Sequence, residues 1–257
     1  MVKGSAFLNA FFIALPLLLA AAFIVAVRVS AVRAGMDAGR VRRSTLLAAA
    51  GVGGWMAITG GAAAAGRLRF DTVPPTMMPV LLAMFVLAIG IGVSRVGRRI
   101  AAGVPLAVLV GAQGFRLPLE LAMHRASAEG LMPEVMSYTG RNFDIVTGTL
   151  ALLVAALLAA GRMPRRGVAA WNVVGALLLA NVVTVAMLAA PTPMRVFTDG
   201  PANVWITAFP WIWLPTMMVP AAILGHILVF RRLRLDRAAE ATRPAAPTQP
   251  RREAALA

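Results

Sequence analysis

Gln113, Arg116, Glu120 and His124 follow one another at intervals of three, four and four residues. On a helix that spacing puts them on one stripe. The stripe lies in an apolar stretch, about Ile100–Met123, long enough to cross a bilayer. Hydrocarbon tolerates arginine and glutamate least, so charges placed there need partners and mark a site by default. The chemistry open to them is limited. A guanidinium binds carboxylates and other anions through paired N–H donors, a glutamate can carry a proton, and the two together can staple helices. Arg116 stands seven residues before Met123, about 10 Å below the outer boundary at about 1.5 Å per residue. Glu120, one turn away, is its expected partner. Pro118 removes a backbone donor, which is expected to free the Gly114 carbonyl and bend the helix.

A second cluster, Arg141-Asn142-Phe143-Asp144, enters the next apolar segment. Asn142 suits a helix N-cap, and Asp144 suits the positive end of the helix dipole. Neither role explains Arg141, which is expected to pair with Glu120 or Asp144. The two segments are joined by one loop, so Gln113, Arg116, Glu120, His124, Arg141, Asn142 and Asp144 are expected to form one pocket or ion-pair network. Asn181, Trp211 and Pro215 are secondary candidates. Pro210, Pro215 and Pro220 recur every five residues and predict an irregular outer half for the last span. His124 and His226 are expected at opposite membrane faces, too far apart to share a metal. The protease, hydrolase, P-loop and dinucleotide motifs are missing. No catalytic residue, metal ligand or cofactor is assigned.

The elements that must position these residues follow from composition. The chain has 257 residues, 60% hydrophobic and 14% charged, with mean hydropathy +0.79. That is an integral membrane protein. It has no cysteine, which excludes disulfides and thiolate chemistry. The net charge is +15. Its arginines sit between apolar spans, so they predict orientation and contact with anionic lipid on the cytoplasmic side rather than nucleic-acid binding. Arginine far above lysine, with abundant Ala and Gly, suggests a GC-rich bacterial genome. An all-α bundle of seven transmembrane helices is predicted in residues 1–230, at about 6–27, 45–65, 76–94, 100–123, 143–161, 168–190 and 205–230. Residues 231–257 read as a basic, disordered cytoplasmic tail. The first span reads as a retained helix, because its apolar run is too long for a signal peptide and is followed by arginines. The second, rich in glycine, is expected inside the bundle. The loops after odd-numbered spans hold 18 of the 25 Lys and Arg residues. The N-terminus is therefore expected outside, in a bacterial cytoplasmic (inner) membrane. Tryptophans 205, 211 and 213 are expected in an outer aromatic belt and Trp171 in an inner one.

Several runs resemble an uncharacterised family of bacterial seven-helix membrane proteins. They are Gln113-Gly-Phe-Arg-Leu-Pro-Leu-Glu-Leu121, Gly140-Arg-Asn-Phe-Asp-Ile145, Trp171-Asn172, Pro191-Thr-Pro193 and Phe209-Pro-Trp-Ile-Trp-Leu-Pro215. The resemblance covers about Pro74 to Leu233. In that family a threonine–phenylalanine–glutamate–glycine run precedes the arginine–asparagine–phenylalanine–aspartate motif. Here the run is Ser137-Tyr-Thr-Gly140, without the acid. The resemblance implies topology and no activity. Together these readings predict a transporter of a small solute or ion with an outward polar pocket, whose guanidinium suits a small anionic ligand. A non-transporting sensor or assembly partner is the alternative, and a membrane-embedded enzyme the third.

Overall fold

In the computed structural model, residues 4–242 are described, and all regular structure among them is helical. Nine α-helices follow in order: α1 Ala6–Arg33, α2 Ala38–Ala64, α3 Met77–Val93, α4 Arg95–Gly103, α5 Leu106–Gly111, α6 Arg116–Ala128, α7 Asp144–Ala159, α8 Arg165–Ala189 and α9 Val219–Ala241. A 3₁₀ turn at Ala112–Phe115 joins α5 to α6, and a π-helical turn at Leu214–Met218 leads into α9. Five stretches are long and apolar enough to cross a membrane: Ala6–Arg33, Ala38–Ala64, Leu106–Ala128, Arg165–Ala189 and Leu214–Ala241. Helices α3 and α4, bent by 59° at Ser94, make a sixth if taken as one broken span. These lengths suit a multi-pass membrane protein. The remaining expected span corresponds to α7, which has only 16 residues.

Several boundaries differ from the sequence expectation. The fourth span is Leu106–Ala128, shifted toward the C-terminus, so Arg116 lies near its middle, about 18 Å from Ala128 at about 1.5 Å per residue. Residues 95–103, expected as a basic loop running into that span, form the separate helix α4. Its Ser94 cap accepts the backbone N–H groups of Val96 and Gly97. Helix α2 begins at Ala38, capped by Asp37, so Arg40, Arg42 and Arg43 stand on a helix rather than in a loop. The C-terminal tail expected from Arg231 is helical as far as Ala241, and the rest of that prediction, residues 243–257, lies outside the described residues.

The glycine-rich α2 is peripheral rather than internal. It packs chiefly on α1, and Gly51, Gly53, Gly54 and Gly61 have open space where a side chain would be. Small residues permit close approach, but they do not supply the partner. The centre is taken by α9, against which α3, α4, α5 and α8 all pack. Trp205 and Trp211 are buried at 5% and 6% exposure, in the core with Phe12, and Trp171 at 7% stacks against His226. None of the three serves in an interfacial belt.

The proline spacing explains the irregular start of α9. Pro220 has no N–H to donate to the carbonyl four residues earlier, that of Thr216. The Trp55 indole Nε1 on α2 donates to this carbonyl instead, at 2.9 Å. Trp213 returns the tie, its Nε1 donating to the Met56 carbonyl at 3.2 Å. Trp55→Phe should strand the Thr216 carbonyl and destabilise the protein by about 1–3 kcal/mol, the cost of an unsatisfied buried acceptor. Thermal unfolding in detergent checks this, with Trp213→Phe as the matched reciprocal variant.

Candidate functional site

Arg116 is the largest fully buried side chain, at 1% exposure. Its partner is Asp144, not Glu120. The guanidinium grips the carboxylate with two parallel bonds, Nε to Oδ2 at 2.5 Å and Nη2 to Oδ1. Asp144 is the first residue of α7, so α7 starts at the depth of Arg116, midway along the Leu106–Ala128 span. This accounts for its short length. The preceding loop descends into the bundle, with Met132, Met136, Ser137 and Asn142 all fully buried. Irregular backbone at such depth is tolerated only where protein covers it and its polar groups are satisfied. Asn142 supplies much of that satisfaction. Its Oδ1 accepts the Asp144 N–H at 3.0 Å, and its Nδ2 donates to the Met136 carbonyl at 3.0 Å and to Glu120 Oε2 at 2.7 Å. It therefore caps the helix from one residue before the cap position, which Phe143 occupies.

The second group on Arg116 is His226, which the sequence expectation placed at the far face. Arg116 Nη1 lies 2.8 Å from His226 Nε2. Arginine can only donate, so Nε2 accepts. Asn172 Nδ2 donates to the His226 carbonyl at 3.1 Å, which leaves Asn172 Oδ1 to accept from His226 Nδ1 at 2.9 Å. The ring is thus the neutral tautomer with its proton on Nδ1. One buried chain runs Glu120–Asn142–Asp144–Arg116–His226–Asn172 and joins α6, α7, α8 and α9. Two glycines let these helices close. A Cβ on Gly148 of α7 would overlap the backbone of Arg116 and Leu117, and one on Gly175 of α8 would overlap Thr147 and His226.

The other expected members lie elsewhere. His124 Nδ1 is 3.0 Å from Ser137 Oγ, and its ring lies against Tyr138. The Arg141 guanidinium sits over the Phe197 ring, while its backbone carbonyl accepts from Asn181 Nδ2 at 2.8 Å. Neither His124 nor Arg141 enters the network, because the descending loop turns Arg141 away as it brings Asp144 inward. Gln113 is 2% exposed and packs on Gly225, beside the network, and its Oε1 has no partner among the described residues. Trp211 packs against Trp205. Pro215, in the π turn, lines the adjoining cavity. Asn172 stands out in the sequence as part of the Trp171-Asn172 run, and the sequence places His226 at the end of a span. In the structure α9 runs past residue 230, to Ala241, which moves His226 toward the middle of its span.

Beside the network lies a narrow slot of about 80 Å³ between α3, α6, α8 and α9. Its walls are mostly apolar, chiefly Leu, Val, Phe and Met side chains, and its polar lining is Arg116, Glu120, Asp144 and Asn203, whose Oδ1 has no partner among the described residues. Three of the five Arg116 N–H donors are engaged, which leaves two. Glu120 uses one oxygen on Asn142, and its other accepts no hydrogen bond among the described residues. The slot therefore offers both a donor and an acceptor in an otherwise apolar space.

Removing one member of a buried ion pair leaves the other uncompensated, at about 3–5 kcal/mol. Arg116→Met and Asp144→Leu should each lower the unfolding temperature sharply. The double variant should recover much of the loss, since two apolar groups strand no charge. Thermal melts of all three measure the coupling, and additive losses would show that the two side chains act independently.

No curated protein and no solved structure matches the chain. One family model does, a domain of unknown function (DUF8737), over residues 73–234. The matched region is more than half of the chain and holds α3 to α9 with every member of the buried network, whereas α1 and α2 lie outside it. The chain belongs to this family of proteins sharing a domain of unknown function, DUF8737.

Proposed function

We propose that the protein is a transporter-like carrier in a bacterial cytoplasmic membrane, which holds a slim, mostly apolar molecule in the slot beside Arg116. The observation that carries this reading is the slot itself, mostly apolar and bordered by two acceptors, on Glu120 and Asn203, and by Arg116 N–H donors that have no partner among the described residues. Its free volume of about 80 Å³ admits only a short alkyl segment as it stands and is too small for a bulky ring system. Met84, Met123, Met136, Met187 and Met218 line it, and such flexible side chains repack to admit a guest. Asp144 already neutralises the guanidinium, so the polar end favoured is a hydroxyl or protonated carboxyl, which accepts from Arg116 and donates to Glu120. This narrows the small anionic ligand that an isolated arginine would suggest. Helices α3 and α8 both line the slot and both pack on α9, and a guest arriving from the bilayer would pass between them.

The same proposal takes α7 with its descending loop as a seventh span, with the N-terminus outside. Arginines at the ends of α1 and α9, and at the starts of α2, α4 and α8, then gather on the cytoplasmic side. A non-transporting sensor would use the same slot and differ only in whether the guest crosses.

The absence of cysteine makes topology directly testable. Single cysteines at Thr139 and at Arg166 should react with an impermeant maleimide in intact cells at the first position and not at the second. Reversed labelling would invert the orientation. For the slot, delipidated protein should bind an unlabelled short- or medium-chain alcohol or fatty acid, read by isothermal titration calorimetry. Val183→Trp, which fills the slot from α8, should weaken binding at least about tenfold, close to 1.4 kcal/mol, with the melting temperature kept. Unchanged binding in that variant would remove the slot from consideration. Flux of the same probe across proteoliposomes separates carrier from sensor.

A further inference from the structure

A second, wider concavity lies away from the buried network, at the end of the bundle where α1, α4 and α9 meet. It is a basin of about 680 Å³. Five arginines line it, Arg33, Arg95, Arg98, Arg99 and Arg232, and no acidic residue does. Of the nearby acids, Asp37 is paired with Arg40, Asp236 with Arg232 and Glu240 with Arg165. Arg33, Arg95, Arg98 and Arg99 have no acidic partner among the described residues.

Two features separate this basin from an ordinary charged surface. The first is that its rim is fixed. Arg33 Nη1 donates to the Gly103 carbonyl at 2.6 Å, and Arg232 Nη1 to the Val104 carbonyl at 2.9 Å, so both guanidiniums are anchored to the C-terminal end of α4. The floor is built from small residues, with Gly103 so close to α1 that a Cβ would lie 2.8 Å from Ser30 Cα. The second is the charge placement on α4. Its Gly97, Ile100 and Ala101 are buried in the bundle, which turns Arg95 and Arg98 outward into the basin. All three α4 arginines fall within its first five residues, where the helix dipole opposes positive charge. Four like charges held around one concavity repel one another unless an anion joins them.

We propose that this basin binds a phosphate group, seated between Arg95 and Arg98 of α4 and the anchored Arg33 and Arg232. Guanidinium groups bind phosphate oxygens through paired, charge-assisted bonds. The phosphate can belong to the headgroup of an anionic phospholipid in the adjoining leaflet or to a soluble phosphate compound. The basin is separate from the slot beside Arg116, and its test does not depend on what the slot holds.

The full chain, purified in detergent, is titrated with phosphatidylglycerol and, separately, with inorganic phosphate and pyrophosphate. Binding is read by native mass spectrometry and by thermal shift. Arg95→Gln and Arg98→Gln are the variants, because neither side chain holds another element in place. Arg42→Gln and Arg43→Gln on α2 are charge-matched controls outside the basin. The expected result is retention of phosphatidylglycerol by the wild type, weakened about fivefold for each basin arginine removed and unaffected by the α2 variants. Phosphatidylcholine vesicles should not substitute. If phosphate or pyrophosphate binds with the same dependence on Arg95 and Arg98 while phosphatidylglycerol does not, the ligand is soluble and the site stands. Equal losses from the α2 and α4 variants would show general attraction to negative charge and overturn the site, as would the absence of binding by every probe.

Discussion

Everything near the middle of this bundle is arranged around one guanidinium that lipid cannot hold. Arg116 is 1% exposed, and an unpaired charge in such a place would cost several kcal/mol. Asp144 removes that cost only by reaching the same depth. A helix beginning at the membrane surface would place its first residue too high. The chain solves this by folding the segment before Asp144 into the bundle and starting α7 there. The short α7, the buried Asn142 and the close packing of Gly148 on the Arg116 backbone are consequences of that single requirement.

The pair does not close on itself. Arg116 has donors beyond those that Asp144 can accept, and His226 takes one of them as a neutral acceptor oriented by Asn172. Four helices from distant parts of the chain thus share one polar chain in an apolar interior. Such a network is rigid when every member is satisfied, and here one Glu120 oxygen and two Arg116 N–H groups have no partner among the described residues. Rigidity on one side and an uncommitted acceptor on the other are what a binding wall needs. At the far end of the bundle the electrostatics are reversed. Arginines there face a wide concavity without acids. The molecule therefore has a neutralised polar centre and a strongly positive end.

Much of this was written in the sequence. Apolar runs of about twenty residues announce a membrane bundle because no other structure satisfies the backbone in hydrocarbon. Arg116, Glu120 and Asp144 stand out because their cost in that setting demands a reason. Asn142 before an acidic helix start announces a cap, and Pro220 announces a carbonyl in need of a donor. These are local properties, and they depend on residue type, spacing and the solvent around the helix.

Which groups meet was decided only by the tertiary structure. Spacing favoured Glu120, one turn from Arg116, as its partner, because it ranks only groups on the same helix. The descending loop chose Asp144, 28 residues away, and turned Arg141 out onto Phe197. His226, 110 residues away, was unreadable because it depends on how α9 is placed in depth and which face it turns inward. The glycines of α2 illustrate the same limit from the other side, since they allow contact yet meet mostly open space. A sequence states what each helix can tolerate or must satisfy, whereas the partner is fixed by packing that sums over the whole bundle.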